Sequence, residues 1–137
     1  MTQSFINADV IIRFLTGDDS TKQAAARRLF DRAVRGELEL STPSTTIADC
    51  IHVLTSPKLY RLPRAEVAAR LTTLLRVTDV QVPDRRDVLR ALDIYGTTNV
   101  DFGDAMIAAA MESTDSRVVF SYDRHFDRFP EIDRQEP

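Results

Sequence analysis

Two aspartates three residues apart, Asp101 and Asp104, open an apolar and alanine-rich segment, residues 100–111. Small apolar side chains along a helix indicate burial against a core, so a carboxylate at its start should border a cleft. A purely structural interpretation is equally open. Asp101 as N-cap and Asp104 near the third helical position would satisfy free backbone N–H groups and the helix dipole. A second group of acids elsewhere in the chain is what favours a site.

Composition and charge narrow the class of protein. The 137 residues are 43% hydrophobic and 28% charged, which predicts one folded domain over residues 1–137 and excludes a disordered chain. The net charge of -3 argues against phosphate partners, but all except two of the 18 basic residues are arginine, which binds phosphate through two parallel hydrogen bonds. Cys50 is the only cysteine, which excludes an internal disulfide. With no basic leader and no segment of membrane length, we expect a cytoplasmic protein.

Strand and helix patterns alternate along the chain. Residues 4–10 are predicted to form a buried strand on which Asn7 and Asp9 share one face. Further strands are predicted at residues 37–41, 78–82 and 117–121, helices begin at Ser20, Pro43, Pro63 and Asp84, and residues 122–129 form a turn or short helix. This order predicts an α/β fold with a parallel sheet flanked by helices on both faces. Ligands bind such sheets beyond the carboxyl ends of the strands.

Four acids follow this rule. Asp9 ends the first strand, Asp123 follows the last, Asp104 starts the helix that enters that last strand, and Asp49 lies in the helix after the second strand. Converging carboxylates repel one another unless a cation lies among them, and a hard divalent ion binds oxygen ligands. Mg²⁺ or Mn²⁺ in such a site typically serves phosphate chemistry, so the pattern predicts phosphodiester hydrolysis.

Four segments together resemble a known family. They are FINADVIIRFL, STTIADCIHVL, DFGDAMIAAAM and VVFSYDRHFDRFP, and they span essentially the whole chain. In this order they resemble the PIN-domain nucleases, most closely the VapC-type toxins of bacterial toxin–antitoxin pairs. The resemblance implies a flavodoxin-like sheet, RNA cleavage with Mg²⁺ or Mn²⁺, a homodimer, and an antitoxin that blocks the site. It maps Asp49, Asp104 and Asp123 onto catalytic and metal-ligand positions, with Ser121 as a polar helper.

The chain departs from the family pattern at the first acid. The family usually reads Asp-x-Asn there, whereas this chain reads Asn7-Ala8-Asp9, and Asp49 replaces the usual Glu. Strand positions i and i+2 lie about 6.5 to 7 Å apart, so the exchange keeps a carboxylate but displaces it. Either the metal shifts toward Asp9, or a water bridges, or activity is reduced. The last case leaves a second hypothesis, a catalytically weak PIN-fold protein that binds RNA or an antitoxin without efficient cleavage.

Other polar residues are weaker candidates. Asp127 is a candidate ligand for a second ion, although an acid on a polar turn is more often solvated. His52 and His125 are candidate bases, but neither has a matching His or Cys partner, which favours a core or surface role. Arg13, close to the first strand, is the best candidate for contact with RNA phosphates.

Two other classes gather acids in a similar way. A haloacid-dehalogenase-type phosphatase needs a nucleophilic acid first on its opening strand, and Asn7 cannot serve as one. A phosphorylated receiver domain needs a lysine at the end of a late strand. The only lysines are Lys22 and Lys58, and neither has such a position.

Overall fold

Six helices carry most of the chain in the computed structural model, which describes residues 3–137. The elements in order are β1 (Gln3–Phe5), α1 (Ala8–Leu15), α2 (Ser20–Val34), β2 (Glu39–Ser41), α3 (Ser44–Thr55), α4 (Arg64–Val77), α5 (Arg85–Thr97), α6 (Phe102–Ser113), β3 (Val118–Phe120), a 3₁₀ helix (Arg124–Arg128) and β4 (Asp133–Gln135). Among these helices, none is both long and apolar enough to cross a membrane.

The helix α6 is the predicted alanine-rich helix, and it packs into the core. Phe102, Ala105 and Ala109 are buried on its inner side, because small side chains let neighbouring helices approach closely. The neighbouring pair α4 and α5 packs equally tightly. A Cβ added at Gly96 of α5 would lie 2.8 Å from the Ala68 Cβ of α4, so this crossing requires glycine. The helix α5 also packs against α6, so the helix that carries Asp104 belongs to the same packed group.

The strands are parallel, as predicted, but they form two separate pairs. β1 pairs with β2 in the register Ser4 to Leu40, and β3 pairs with β4 in the register Val119 to Arg134. The strand predicted at residues 78–82 is reduced to a single bridge between Ser41 and Gln81. Within residues 3–137, each strand is three residues long and no ladder joins the two pairs. Strands this short form few ladder hydrogen bonds, and most of the burial is achieved by the helices.

The exposed faces of β1 and β3 reflect this division. Phe5 on β1 is 68% exposed and Phe120 on β3 is 66% exposed, although both belong to segments predicted to be buried strands. The apolar content of these segments was read correctly. The predicted burial of these two strands was wrong, because burial depends on what packs against a strand.

The predicted first strand, residues 4–10, was wrong beyond Phe5. The backbone turns at Asn7, which is the N-cap residue of α1, and Asp9 lies in the first turn of that helix. Ile11 and Ile12 are buried in α1, so the apolar run belongs to a helix that the sequence interpretation missed. Residues two apart on a helix do not face the same way, so the argument from a shared strand face does not apply to Asn7 and Asp9.

Smaller differences concern helix ends and the last strand. The cap of α2 is Asp19, whose side chain accepts a hydrogen bond from the Lys22 N–H at 3.0 Å, so the helix begins at the predicted Ser20 without being capped by it. Asp84 precedes α5 in a left-handed conformation with φ 55° and makes no side-chain cap bond. β4 was not predicted, because DRQ has no strand-like apolar content.

Candidate metal centre

Asp104 and Asp123 are brought together from two different elements. Asp104 lies in the first turn of α6, and Asp123 is the N-cap residue of the 3₁₀ helix that follows β3. One ligand atom from each of Asp104, Asp123 and His125 lies within 4.8 Å of the others. Two oxygen ligands and one nitrogen ligand thus converge on one point.

Asp104 is oriented by the start of its own helix. The Asp101 carboxylate accepts a hydrogen bond from the Asp104 backbone N–H at 2.8 Å, so the N-cap interpretation of Asp101 is correct. Partial burial, followed by the negative charge of Asp101 and contact with Asp123, raises the pKa of Asp104 to about 6. The cap therefore leaves the Asp104 side chain available and close to a second carboxylate.

Asp123 is held by a short local network. The Ser121 hydroxyl accepts a hydrogen bond from the Asp123 N–H at 2.9 Å, and the Asp123 carboxylate accepts one from the His125 N–H at 2.9 Å. The His125 N–H lowers the pKa of Asp123 below its usual value. Ser121 is itself anchored, since its carbonyl accepts from Arg134 of β4 at 3.0 Å. Ser121 thus orients the turn that presents Asp123.

The donor set of this centre fits a divalent cation. The two carboxylates also act on each other, because contact with Asp123 adds to the rise in the pKa of Asp104 and contact with Asp104 adds to the fall in the pKa of Asp123. An ion bound to both oxygens would remove the repulsion between the two carboxylates. Asp104 and Asp123 could hold such an ion directly, and His125 offers a third ligand atom.

The remaining predicted ligands lie on α1 and α3. Within residues 3–137, Asp9 and Asp49 do not belong to the group gathered within 4.8 Å, and Asn7 supplies no carboxylate. The turn of α3 that carries Asp49 packs against the start of α1, with the Cys50 Sγ 3.9 Å from the Ala8 carbonyl oxygen. Asp49 is exposed on α3, so it is accessible from solvent.

Cys50 has no nucleophilic role in this arrangement. It is fully buried, and burial together with the charge of Asp49 raises the pKa of its thiol to about 12. A thiol that stays protonated at neutral pH is a packing residue.

Arg13 lines a groove between α1 and α2. The groove has a volume of about 320 Å³ and is lined by Asp9, Val10, Arg13, Lys22, Ala25, Ala26 and Leu29. The Arg13 guanidinium lies 3.4 Å from the Asp18 carboxylate, which also accepts hydrogen bonds from Tyr60 at 2.6 Å and Thr16 at 2.8 Å. The hydrogen bond from Tyr60 is the largest cause that lowers the pKa of Asp18. Asp18 is therefore an anion, and its contact with Arg13 keeps the guanidinium at the groove.

Asp127 and His125 each contact a charged side chain in the structure. The Asp127 carboxylate accepts from the Arg134 guanidinium at 2.9 and 3.4 Å, so its charge is already paired. His125, to which the sequence interpretation gave a core or surface role, lies at the surface, and its ring also contacts the Asp123 carboxylate. The signal that would have found it is the Asp-x-His spacing at the start of a turn, which places both side chains on one side.

Comparison with known proteins identifies the family of this chain. The model of the PIN domain family matches residues 5–132, and the matched segment includes every candidate site residue. A search of curated proteins found no match. PIN domains have a flavodoxin-like α/β fold and are generally metal-dependent nucleases. Because the match covers almost the entire chain, this protein belongs to the PIN domain family.

Proposed function

We propose that this protein is an endoribonuclease that hydrolyses RNA phosphodiester bonds with Mg²⁺ or Mn²⁺. The observation that carries the proposal is the approach of Asp104 and Asp123 within 4.8 Å, in a chain of a family whose members are generally metal-dependent nucleases. A bound divalent ion would activate a water molecule and neutralise the departing oxyanion.

The residues of the chain have separate roles in this proposal. Asp104 and Asp123 would hold the ion through carboxylate oxygens, and Asp101 and Ser121 keep these two residues in position by accepting hydrogen bonds from their backbone N–H groups. The approach of an RNA phosphate brings more negative charge, which makes the pairing of both carboxylates with a cation still more necessary.

Asp49, Asp9 and Arg13 complete the proposed site from the α1 and α3 side. Asp49 and Asp9 are proposed as further ligands, reached directly or through water, since few carboxylates and several waters are the usual environment of Mg²⁺. Arg13 is proposed to contact RNA phosphate at the groove that it lines with Asp9. Asn7 and Asp127 are weaker candidates for metal ligands. Asn7 carries an uncharged amide, and the Asp127 carboxylate is paired with Arg134.

The proposed biological role is that of a VapC-type toxin. It would act in the cytoplasm as a homodimer and be held inactive by a cognate antitoxin protein that blocks the site. Induced expression of the wild-type chain in bacteria should arrest growth, and expression of Asp104→Asn should not. Growth arrest by both proteins would contradict a toxin role that depends on cleavage.

One observation favours a second candidate function, a catalytically weak PIN-fold protein that binds RNA or an antitoxin. Asn7 supplies no charge, and Asp9 and Asp49 stay outside the 4.8 Å group within the described residues 3–137. An incomplete ligand set would bind its ion weakly and stabilise the transition state less.

RNA cleavage by purified protein, freed of antitoxin, separates the two functions. The substrate is a labelled single-stranded RNA, assayed with Mg²⁺, with Mn²⁺ and in excess chelator. We expect cleavage with either metal and none in chelator. Binding of RNA without metal-dependent turnover would support the second function, and equal cleavage in chelator would contradict a metal-dependent enzyme.

A further inference from the structure

His125 stands beside the two carboxylates, and the proposed reaction does not use it. Its ring Nδ1 lies 3.2 Å from the Asp123 Oδ1, and its ligand atom belongs to the group within 4.8 Å that includes Asp104. The side chain is 51% exposed, so it can be reached by an ion from solvent.

The spacing of these atoms suits one shared ion. Metal–ligand distances near 2.1 Å place adjacent ligands of an octahedral ion about 3 Å apart and opposite ligands about 4.2 Å apart. The 3.2 Å between His125 and Asp123 matches adjacent positions. The limit of 4.8 Å leaves Asp104 within reach of the same ion after a small side-chain adjustment.

The backbone keeps His125 in this position. It follows Asp123 by two residues in the 3₁₀ helix Arg124–Arg128, and its own N–H donates to the Asp123 carboxylate. The next residue, Phe126, is only 2% exposed and anchors the turn in the core. The imidazole is therefore presented by a fixed turn rather than by a free loop.

We propose that His125 is a nitrogen ligand of the ion held by Asp104 and Asp123, and that it makes the site prefer Mn²⁺ and later transition metals over Mg²⁺. Imidazole nitrogen suits transition metals, whereas Mg²⁺ prefers oxygen ligands and water. The inference rests on the proposed function, because it concerns the same metal site. It specifies which class of ion that site selects.

Titration calorimetry with Mg²⁺, Mn²⁺ and Co²⁺ tests this on the wild-type chain, on His125→Asn and on the control His52→Asn. His52 is the other histidine of the chain and lies exposed in the last turn of α3. We expect His125→Asn to weaken Co²⁺ binding about tenfold or more, Mn²⁺ binding by less, and Mg²⁺ binding less than about twofold. His52→Asn should change none of them. Pulsed electron paramagnetic resonance of bound Mn²⁺ should show coupling to a histidine nitrogen in the wild type and in His52→Asn only.

The outcomes separate this inference from the proposed function. Equal weakening of all three metals by His125→Asn, or Mn²⁺ bound without nitrogen coupling, would overturn the nitrogen ligand and leave the metal-dependent nuclease intact. Either result would show that His125 contacts Asp123 without binding the ion. If none of the three metals bound the wild type, both the inference and the proposed function would be overturned.

Discussion

The two sides of the candidate site are assembled by different kinds of contact. On the side of α6 and the 3₁₀ helix, Asp104 and Asp123 are oriented by hydrogen bonds to residues two or three positions away. On the side of α1 and α3, Asp9 and Asp49 depend on the packing of two helices and on where β1 ends. Each side also adjoins a different strand pair along the chain.

This difference indicates which ligands the protein positions before an ion binds. Local hydrogen bonds orient Asp104 and Asp123 within their own segments, and the fold brings the two carboxylates together. Partial burial is the main cause that raises the pKa of Asp104, and the His125 N–H is the main cause that lowers the pKa of Asp123. Among the described residues, Asp9 and Asp49 do not belong to the group that Asp104 and Asp123 form with His125. We therefore expect the first side to dominate metal binding, and four predictions test that expectation.

The largest expected effect is on RNA cleavage. Asp104→Asn should lower the rate at least about a thousandfold, because it removes a ligand and a charge at the centre of the group. Asp49→Asn should lower it by about tenfold to a hundredfold, as expected for a more distant contributor. Single-turnover cleavage of labelled RNA measures both.

Asp115→Asn is the matched control for these variants. Asp115 is exposed and has φ 54°, a conformation that asparagine tolerates well, so its cleavage rate should match that of the wild type. A loss for Asp49→Asn equal to that for Asp104→Asn would show that the two sides contribute equally.

The next effect concerns the first acid. If Asp9 has taken over the role of the missing carboxylate at Asn7, Asp9→Ala should lower cleavage at least about tenfold. Asn7→Asp should then add little, because it brings another charge toward the site. Asn7→Asp should fold, because it places an acid at the N-cap of α1, where an acid is favourable. Strong activation by Asn7→Asp with an unaffected Asp9→Ala would instead identify a weakened nuclease.

A smaller effect is expected on thermal stability. An ion that binds only the folded protein adds about 2.7 kcal/mol at a hundredfold excess over its Kd, so saturating Mn²⁺ should raise the melting temperature. Asp123→Ala should lose most of this increase, whereas Asp9→Ala should keep most of it. Differential scanning fluorimetry with and without Mn²⁺ compares the three proteins. Equal losses in the two variants would contradict the dominance of the Asp104 and Asp123 side.

The smallest effect is the pH dependence of the metal-free protein. The pKa of Asp104 is raised to about 6, so its contribution to stability is full below the unfolded-state pKa near 4 and is lost as the pH rises through about 6. In chelator, Asp104→Asn should therefore be more stable than the wild type above pH 6. The gain is of the order of 1 kcal/mol, because solvent screens a partly exposed group. Urea unfolding from pH 4 to 8 should show this difference only at the higher pH values. A constant difference across that range would contradict the charge repulsion assigned to this pair.

Much of the chain was predictable from local pattern. The helices after Pro43, Pro63 and Asp84, the cap at Asp101 and the parallel strand direction follow from caps, prolines and apolar spacing. Each of these signals acts within a few residues, so sequence alone carries it.

Other features required the tertiary structure. The apolar run from Val10 is compatible with a strand or a helix, and only its packing, with Ile11 and Ile12 buried, makes it the helix α1. The separation of the strands into two pairs likewise reflects which surfaces the helices cover.

The sequence by itself determined which residues carry charge and which turns present them, because caps and turns are made by neighbours along the chain. The tertiary structure alone decided that Asp104 meets Asp123 and His125 while Asp9 and Asp49 stay apart from them. The physical reason is that proximity between distant residues depends on how helices and strands pack, which short-range patterns do not encode.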